Sequence, residues 1–409
     1  MSLTESNQKP VRWQYLLTGA LSMLFAGIIY AWSILKTPFA EFGWSASQLA
    51  LNFTLTMCFF VIGGIVSGIL TRKTSPKVTG IASAVLVCLG FNMVSRISGQ
   101  NILMLYISYG VLCGLGIGMA YNVFISVANA WFPDEKGTCS GILMMSFGAS
   151  TLVLGNVAAY LFRAENIGWK TTYVILGIVI GGILLISSFF LKIPPADIKF
   201  PQPKATKKSS RQEDFEKKDY TTLQMLGRFT FWKFFLYTIS LAAVGSTVIS
   251  FAKDLAIFIG AAESFATSLV GILSICNGLG RIICGVMFDT AGLRRTMIFA
   301  NIITIAAPTV LLLSIFTDLL LLGVIGFCLV GLSYGCAPTI SSTFVSSFYG
   351  SKYFSINFSV VNTTLIPASF TATLAGSLVA ATGSYTTPVV LLIALSVFSL
   401  LLNLSIKRP

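Results

Sequence analysis

A single arginine, Arg281, lies near the middle of an apolar run from about residue 265 to residue 288. The run is long enough to cross a bilayer as one helix, since ~20 residues suffice. An arginine at the centre of such a helix costs about 2.5–3.5 kcal/mol on insertion scales, so it must face a polar interior. There a guanidinium offers bidentate binding of an anion such as a carboxylate. A structural arginine held by backbone carbonyls or by a buried acid is the alternative.

The residues around Arg281 place small and polar side chains on one side of the predicted helix. They recur at intervals of three and four residues and therefore share one face: Ser274, Asn277, Gly278, Arg281 and Gly285. The other faces carry isoleucine, leucine and valine. We therefore predict an anion site inside a membrane bundle, with Asn277 orienting the guanidinium or contacting the ligand.

The composition places the chain in a membrane. Of its 409 residues, 55% are hydrophobic and 10% are charged, whereas soluble domains carry about 25% charged residues. The apolar runs are long and do not alternate, so they predict an all-α helical bundle rather than a β-barrel. The net charge of +13 falls mostly on one side of the predicted topology. That bias follows the positive-inside rule and indicates contact with membrane lipids, not with nucleic acid.

Metal and enzyme chemistry find little support in the sequence. There are eight cysteines and no histidine. The cysteines lie mostly in apolar runs and form no Cys-x-x-Cys pair, which is typical of packing residues. We therefore expect no metal and no cofactor. Because no nucleophile–base pair is evident, we also predict that the protein is not an enzyme.

Twelve apolar runs fall into two groups of six, separated by a segment of different composition. Residues 192–230 are rich in proline, lysine and serine, which is typical of a cytoplasmic linker. We predict a six-helix bundle at 1–191, the linker at 192–230 and a second six-helix bundle at 231–409, with a short surface helix at 221–228. Both termini are expected in the cytoplasm, and the chain in the inner (plasma) membrane as a monomer.

The two groups of helices align at a constant offset of 217 residues. Three glycine pairs match at that offset: Gly68 with Gly285, Gly114 with Gly331, and Gly118 with Gly335. Matched glycines predict close helix packing at the same place in each half. Parallel repeats are an architecture of secondary transporters, whose site lies between the halves near the midplane. Arg281 aligns with Gly64, so the charge is not part of the repeated scaffold, which favours a role in ligand binding.

A loop after the arginine helix resembles the loop signature of the major facilitator superfamily. Its residues are Gly285, Asp289, Gly292, Arg294 and Arg295. In that superfamily the aspartate and the arginine join helix ends on the cytoplasmic face and stabilise one gating state. The first half has a degenerate copy, with an arginine at the aspartate position. The resemblance implies the twelve-helix major facilitator fold and says nothing of the substrate.

Further segments, spread over nearly the whole chain, are similar to the oxalate/formate antiporter family, a branch close to the monocarboxylate transporters. They are Tyr30 to Ser33, Asn129 to Gly137, Met225 to Trp232, and Asn277 to Arg281. The resemblance implies transport of a small carboxylate, with Arg281 as the anion-binding charge. It places Tyr121 and Tyr334 along the cavity, and Tyr30 and Asn362 complete the candidate set. Core tyrosines bonded to backbone, and a lipid-interface position for Trp32, are the alternatives.

Two departures from these families narrow the expected substrate. The oxalate carriers have a second cation, a lysine in helix 11, where this chain has Leu365. One positive charge suits a monoanion better than a dianion. We therefore predict a lactate- or formate-like monocarboxylate, carried by alternating access. Anion exchange of the oxalate/formate type and export of another organic anion stay open as alternatives.

Proton coupling needs a group other than the one that related families use. Animal monocarboxylate transporters have an aspartate one turn before the arginine, at the position of Asn277. We predict proton symport with Asp254 as the coupling group. A surface ion pair between Asp254 and Lys253 is the alternative.

Overall fold

The computed structural model describes residues 8–99, 101–132, 136–195, 219–350 and 353–406. Within these ranges the chain is helical and contains no β-strand. Twelve helical segments of the described chain are long and apolar enough to cross a membrane: α1 Arg12–Phe42, α2 Ala46–Lys73, α3 Pro76–Val94, α4 Ile102–Trp131, α5 Gly141–Arg163, α6 Gly168–Phe189, α7 Phe229–Ser250, α8 Glu263–Phe288, α9 Leu293–Thr317, α10 Leu320–Tyr349, α11 Val360–Thr382 and α12 Thr386–Ser405. The predicted all-helical, twelve-span fold is confirmed.

The short helix predicted before α7 is also present, at Thr222–Leu226. A capping box starts it: the Thr221 side chain accepts from the backbone of Gln224, and the Gln224 side chain accepts from the backbone of Thr221. Asn357, at the start of the α11 region, bonds both Thr222 and the carbonyl of Tyr220. The end of the linker is therefore tied to the second half of the chain.

Several spans depart from regular α-helix where they approach the centre of the molecule. α1 tightens to a 3₁₀ helix at Gly27–Ala31, and α5 widens to a π-helix at Thr151–Gly155. The α11 region is broken between two helices, Phe354–Asn362 and Leu365–Thr382. Such departures re-aim side chains and are frequent at functional sites.

The two halves share one packing pattern. In the first half α4 packs against α1, α2 and α3, and in the second half α10 packs against α7, α8 and α9. Likewise α6 packs on α1 and α3, and α12 on α7 and α9. The halves meet through two equivalent pairs of helices, α2 with α11 and α5 with α8. The internal repeat inferred from the glycine spacing is therefore a repeat of structure.

In two of the three matched glycine pairs, a backbone carbonyl oxygen of a neighbouring helix lies too close to leave room for a side chain. A Cβ added at Gly118 would lie 2.0 Å from the oxygen of Phe60, and one at Gly335 would lie 2.0 Å from the oxygen of Asn277. Phe60 and Asn277 are themselves one offset apart. The Gly114 and Gly331 pair is equally crowded, with carbonyl oxygens at 2.7 Å and 2.2 Å. Close helix packing at these positions is confirmed.

The third pair does not behave as predicted. A Cβ added at Gly68 or at Gly285 would meet no atom within 4 Å, so the prediction of close packing there is wrong. A pair that the sequence analysis overlooked takes its place: Gly63 and Gly280, whose added Cβ atoms would lie 2.3 Å and 2.2 Å from carbonyl oxygens on α4 and α10. The repeated contact belongs to the middle of α2 and α8, not to their ends.

Candidate functional site

Arg281 lies on α8 with its side chain at the boundary between the two halves. Its Nη1 donates a hydrogen bond to the hydroxyl of Tyr121, which belongs to α4 in the first half, over 3.4 Å. Its Nε is buried and has no hydrogen-bond partner. None of the ion pairs found among the described residues involves Arg281. The guanidinium therefore retains donors for an anion.

Three tyrosines from three different helices surround this guanidinium. They are Tyr30 of α1, Tyr121 of α4 and Tyr334 of α10, all of which lie close to Arg281. The rings of Tyr30 and Tyr334 lie 6.2 Å apart in an edge-to-face arrangement. Tyr30 and Tyr334 are buried and Tyr121 is half-buried. Their hydroxyls can donate to a carboxylate while their rings close apolar walls around it.

Local backbone features bring these tyrosines to the site. Tyr30 is in the 3₁₀ segment of α1, where Gly27 lets the helix approach the carbonyl of Phe147 on α5. Gly245 on α7 makes room for the ring of Tyr334, since a Cβ there would lie 2.4 Å from that ring. Of the two glycines, Gly245 was not singled out from the sequence.

Two phenylalanines that the sequence analysis missed complete the aromatic wall. Phe147 packs edge-on against Tyr30 and Tyr121, with centroid distances of 5.3 Å and 5.2 Å. Phe60 packs edge-on against Tyr121 at 5.2 Å. A signal for Phe60 was present, because it stands one repeat before Asn277. The wall gives an apolar surface beside the single charge.

Asn277 shares the buried face of Arg281. Its side chain is 2% exposed, and its Oδ1 has no hydrogen-bond partner. Its side chain lies beside that of Tyr30, as does the side chain of Tyr334. The structure therefore brings together Arg281, Asn277 and the three predicted tyrosines.

Two positions of interest lie in the helix 11 region, Asn362 and Leu365. Asn362 is half-buried at the end of the helix Phe354–Asn362, and none of the described hydrogen bonds joins it to Arg281. Leu365 packs against the apolar core and supplies no charge.

Trp32 is fully buried and donates from Nε1 to the carbonyl of Leu49 over 3.1 Å. The lipid-interface alternative for Trp32 is therefore wrong.

Asp254 lies in a short helix after α7 and forms an ion pair with Lys36 of α1. Lys253 pairs instead with Glu263, at 2.9 Å. The alternative role for Asp254, a surface partner for Lys253, is therefore wrong, because the two side chains turn to different partners. Its role in proton coupling stays a prediction.

The loop signature is only partly visible. The side chain of Asp289 lies outside the described side chains. Arg294 donates to the carbonyl of Ile406 after α12, over 3.2 Å, so it joins elements of the second half. Arg295 is exposed. The gating role of Gly285, Arg294 and Arg295 stays a prediction.

We call the end of the bundle where the linker joins α6 to α7 the linker face. We call the opposite end the distal face. A Cβ at Gly148 of α5 would lie 2.4 Å from the oxygen of Ser274 on α8, and one at Gly278 would lie 3.3 Å from Met145. Nearest the linker face, one at Gly141 would have its closest neighbour at 3.9 Å. The contact between α5 and α8 is therefore tightest at Ser274 and looser beside Arg281, which is half-buried.

The sequence matches a family model and is similar to two known proteins over most of its length. Residues 15–365 match the family model described as Major Facilitator Superfamily. The MFS-type transporter YhjX of Escherichia coli, itself of uncharacterised function, is 27% identical over 361 residues, covering 88% of this chain and 86% of the relative. The oxalate:formate antiporter of Oxalobacter formigenes is 25% identical over 347 residues, covering 83% of this chain and 79% of that protein.

A solved structure supports the fold independently of sequence. A mutant form of the nucleoside transporter NupG superposes with a TM-score of 0.73 over 97% of this chain and 100% of that one. Its sequence identity is 12%. The likeness therefore concerns the architecture and not the ligand.

Proposed function

The chain belongs to the major facilitator superfamily, and on that premise we propose that it carries a small monocarboxylate across the membrane. The observation that carries the proposal is an intramembrane arginine with no acidic partner among the described ion pairs and a ring of tyrosines around it. Intramembrane charges of this kind ordinarily mark a ligand pathway. The carboxylate would form a bidentate pair with Arg281 and accept from the hydroxyls beside it.

A monoanion fits the site better than a dianion. The wall beside the charge is aromatic, with Phe60 and Phe147 against Tyr121. Leu365 occupies the position where the oxalate carriers have a second cation. A second carboxylate would be desolvated against apolar surface with no charge to offset it. A lactate- or formate-like anion is therefore the substrate class we propose.

Transport would proceed by alternating access between two bundles, residues 1–191 and 231–409, rocking about the central site. The substrate anion would neutralise Arg281 and permit the halves to close over it. Both termini would lie in the cytoplasm and the protein in the inner (plasma) membrane as a monomer. Asn277 would hold the guanidinium in place, and Asn362 would line the path beyond it. Gly285, Asp289, Arg294 and Arg295 would form the gate at the linker face.

We propose proton symport, with Asp254 as the coupling group. Its ion pair with Lys36 persists only while the carboxylate is charged, so protonation would release Lys36. Anion exchange of the oxalate:formate type is the second candidate, favoured by the similarity to the antiporter of Oxalobacter formigenes. Export of another organic anion would use the same site.

Ligand-induced thermal stabilisation tests the proposal. Purified protein is heated with formate, lactate, pyruvate and oxalate, and the melting temperature is compared with that in chloride of equal ionic strength. We expect a monocarboxylate to raise the melting temperature, since a ligand that binds only the folded state stabilises it. The Arg281→Ala variant should lose that rise, whereas a variant of a distant arginine, Arg96→Ala, should keep it. Equal stabilisation of the Arg281→Ala variant would contradict the proposal.

A further inference from the structure

Ion pairs join the two halves at the distal face. Lys36, in the distal part of α1, pairs with Asp254 in the short helix after α7. Arg163, the last residue of α5, lies 2.8 Å from Glu263, the first residue of α8. In both pairs the cation belongs to the first half and the carboxylate to the second. These contacts therefore exist only while the distal ends of the halves lie together.

A third cation, Lys253, is paired within the second half and not only across the two halves. Lys253 shares the same Oε1 of Glu263, at 2.9 Å, and also donates to Thr37 of the first half over 3.4 Å. The Lys253 side chain is 4% exposed, and a buried ammonium without a partner is costly. Lys253 and Glu263 belong to the same half, so they can stay paired when the halves separate. Opening the distal face would therefore deprive Lys36 and Arg163 of their carboxylates but leave Lys253 its own.

Neutral contacts reinforce the closure on the same side. Thr54 of α2 donates to the carbonyl of Ser369 on α11 over 2.7 Å and lies 2.9 Å from the hydroxyl of Thr373. Nearer the distal face, the hydroxyls of Ser47 and Ser377 lie 2.8 Å apart. Together with the ion pairs, these bonds tie both pairs of helices that join the halves at the end opposite the linker.

We propose that Lys36 and Arg163 are gate cations, which hold the distal face shut in this state and set the balance between the two states of the transport cycle. Their partners are Asp254 and Glu263. The inference rests on alternating access as part of the proposed function, but not on the identity of the substrate. The gate lies about 27 Å along α8 from Arg281, by the ~1.5 Å rise per residue of an α-helix. Weakening it should therefore change which face is open without altering the anion site directly.

Hydrogen exchange of the full-length protein without ligand tests the gate. In the Lys36→Gln/Arg163→Gln double variant, we expect exchange to rise several-fold in the distal segments 34–46 and 252–266. We also expect it to fall in the linker-face segments 66–78 and 284–296. The reciprocal change is the signature of a shift between states, because one face closes as the other opens. Faster exchange at the distal face alone, or no change at either face, would overturn the proposal.

A charge swap separates the gate from a merely structural role. In the Lys36→Asp/Asp254→Lys variant the ion pair is restored with its charges exchanged, and exchange at both faces should return towards the wild-type pattern compared with Lys36→Asp alone. Glu165→Gln, an exposed acid near the distal end of α5 with no described ion pair, is the matched control and should change neither face. If the amide hydrogens of the charge-swapped variant exchange as fast as those of Lys36→Asp alone, the proposed pairing of Lys36 with Asp254 is refuted. Because no substrate is added, failure of the gate is distinguishable from failure of monocarboxylate binding.

Discussion

At the scale of single residues, the site is an unpaired charge among hydroxyls. Arg281 finds one hydroxyl at 3.4 Å and leaves its Nε without a partner. Buried donors left unsatisfied cost about 1–3 kcal/mol each, so a ligand that satisfies them gains that free energy on binding. The tyrosines alone offer no negative charge. The arrangement is therefore incomplete without an anion, which is the physical reason for placing the substrate there.

The geometry of the guanidinium can be separated from its charge. In the Arg281→Lys variant the charge remains but the bidentate fork is lost, so one charge-assisted hydrogen bond disappears, worth about 1.5–3 kcal/mol. We expect carboxylate binding to weaken by about 10-fold or more. Uptake of labelled monocarboxylate into proteoliposomes measures the effect, with equal reconstitution checked by protein content. Wild-type uptake by this variant would contradict a bidentate role.

The number of cations can be changed at Leu365. The Leu365→Lys variant restores a second positive charge in α11, where the oxalate carriers have one. We expect the preference to shift from monocarboxylates towards oxalate, because a second cation offsets the desolvation of the second carboxylate. Competition of formate and oxalate for the same labelled substrate measures the shift, and Leu365→Met serves as an uncharged control. An unchanged ratio would show that the charge count at this position does not set the valence of the substrate.

At the scale of the helices, glycine contacts decide where the site residues stand. Gly335 brings α10 against the carbonyl of Asn277, one turn before Arg281 on α8. Gly118 does the same for Phe60, which packs on Tyr121. Each half therefore sets its share of the site through the same backbone contact. The repeated glycine contact fixes how close the two helices lie in each half. The halves differ in the side chain at that contact, which is Phe60 in the first half and Asn277 in the second.

A methyl group at Gly335 tests this link between packing and binding. The added Cβ of Gly335→Ala would lie 2.0 Å from the oxygen of Asn277 and 3.1 Å from the amide nitrogen of Arg281, so α8 must shift. Overpacking of this kind costs about 1–3 kcal/mol, and we expect both a lower melting temperature and weaker carboxylate binding. Gly182→Ala is the matched control, since a Cβ there meets nothing within 4 Å. Loss of binding without loss of stability would place the effect in the site itself.

At the scale of the whole molecule, ion pairs and hydrogen bonds join the two halves at the distal face. Between α5 and α8, the nearest neighbour of an added Cβ lies at 2.4 Å at Gly148 and at 3.9 Å at Gly141, so the contact is tighter on the distal side. Arg281 lies on the linker side of the tightest contact between α5 and α8. Under the proposed alternating access, transport requires that the distal contacts break as the linker face closes.

Coupling is a property of that cycle and can be measured directly. If protons are carried with the substrate, uptake into proteoliposomes should rise several-fold when the outside is made acidic relative to the inside. The Asp254→Asn variant should lose this dependence, because its side chain no longer gains or loses a proton. Counterflow of labelled substrate that persists at full rate without a pH gradient, in both proteins, would favour exchange instead. Glu165→Gln controls for a nearby change of charge.

The fold class, the count of spans and the identity of the central charge all follow from the order of residues along the chain. Apolar runs of membrane length are a local property, since each helix in lipid must satisfy its own backbone, and so their number and order follow from composition. Arg281 was evident for the same reason, because a charge is conspicuous in an apolar run. The glycine offset also predicted the repeat, although the pairing of Gly68 with Gly285 was wrong.

What surrounds the charge, and which ends of the two halves are joined, depend on how the helices pack. Phe60 and Phe147 look like ordinary membrane residues, and only the packing of α2, α4 and α5 turns them towards the tyrosines. The ion-pair partners of Asp254 and Lys253 could not be predicted from the fact that the two residues are adjacent in sequence. Neighbouring residues on a helix point in different directions. Contacts between residues far apart in sequence depend on how the halves dock, and docking is a sum over many side chains. No single segment carries that information.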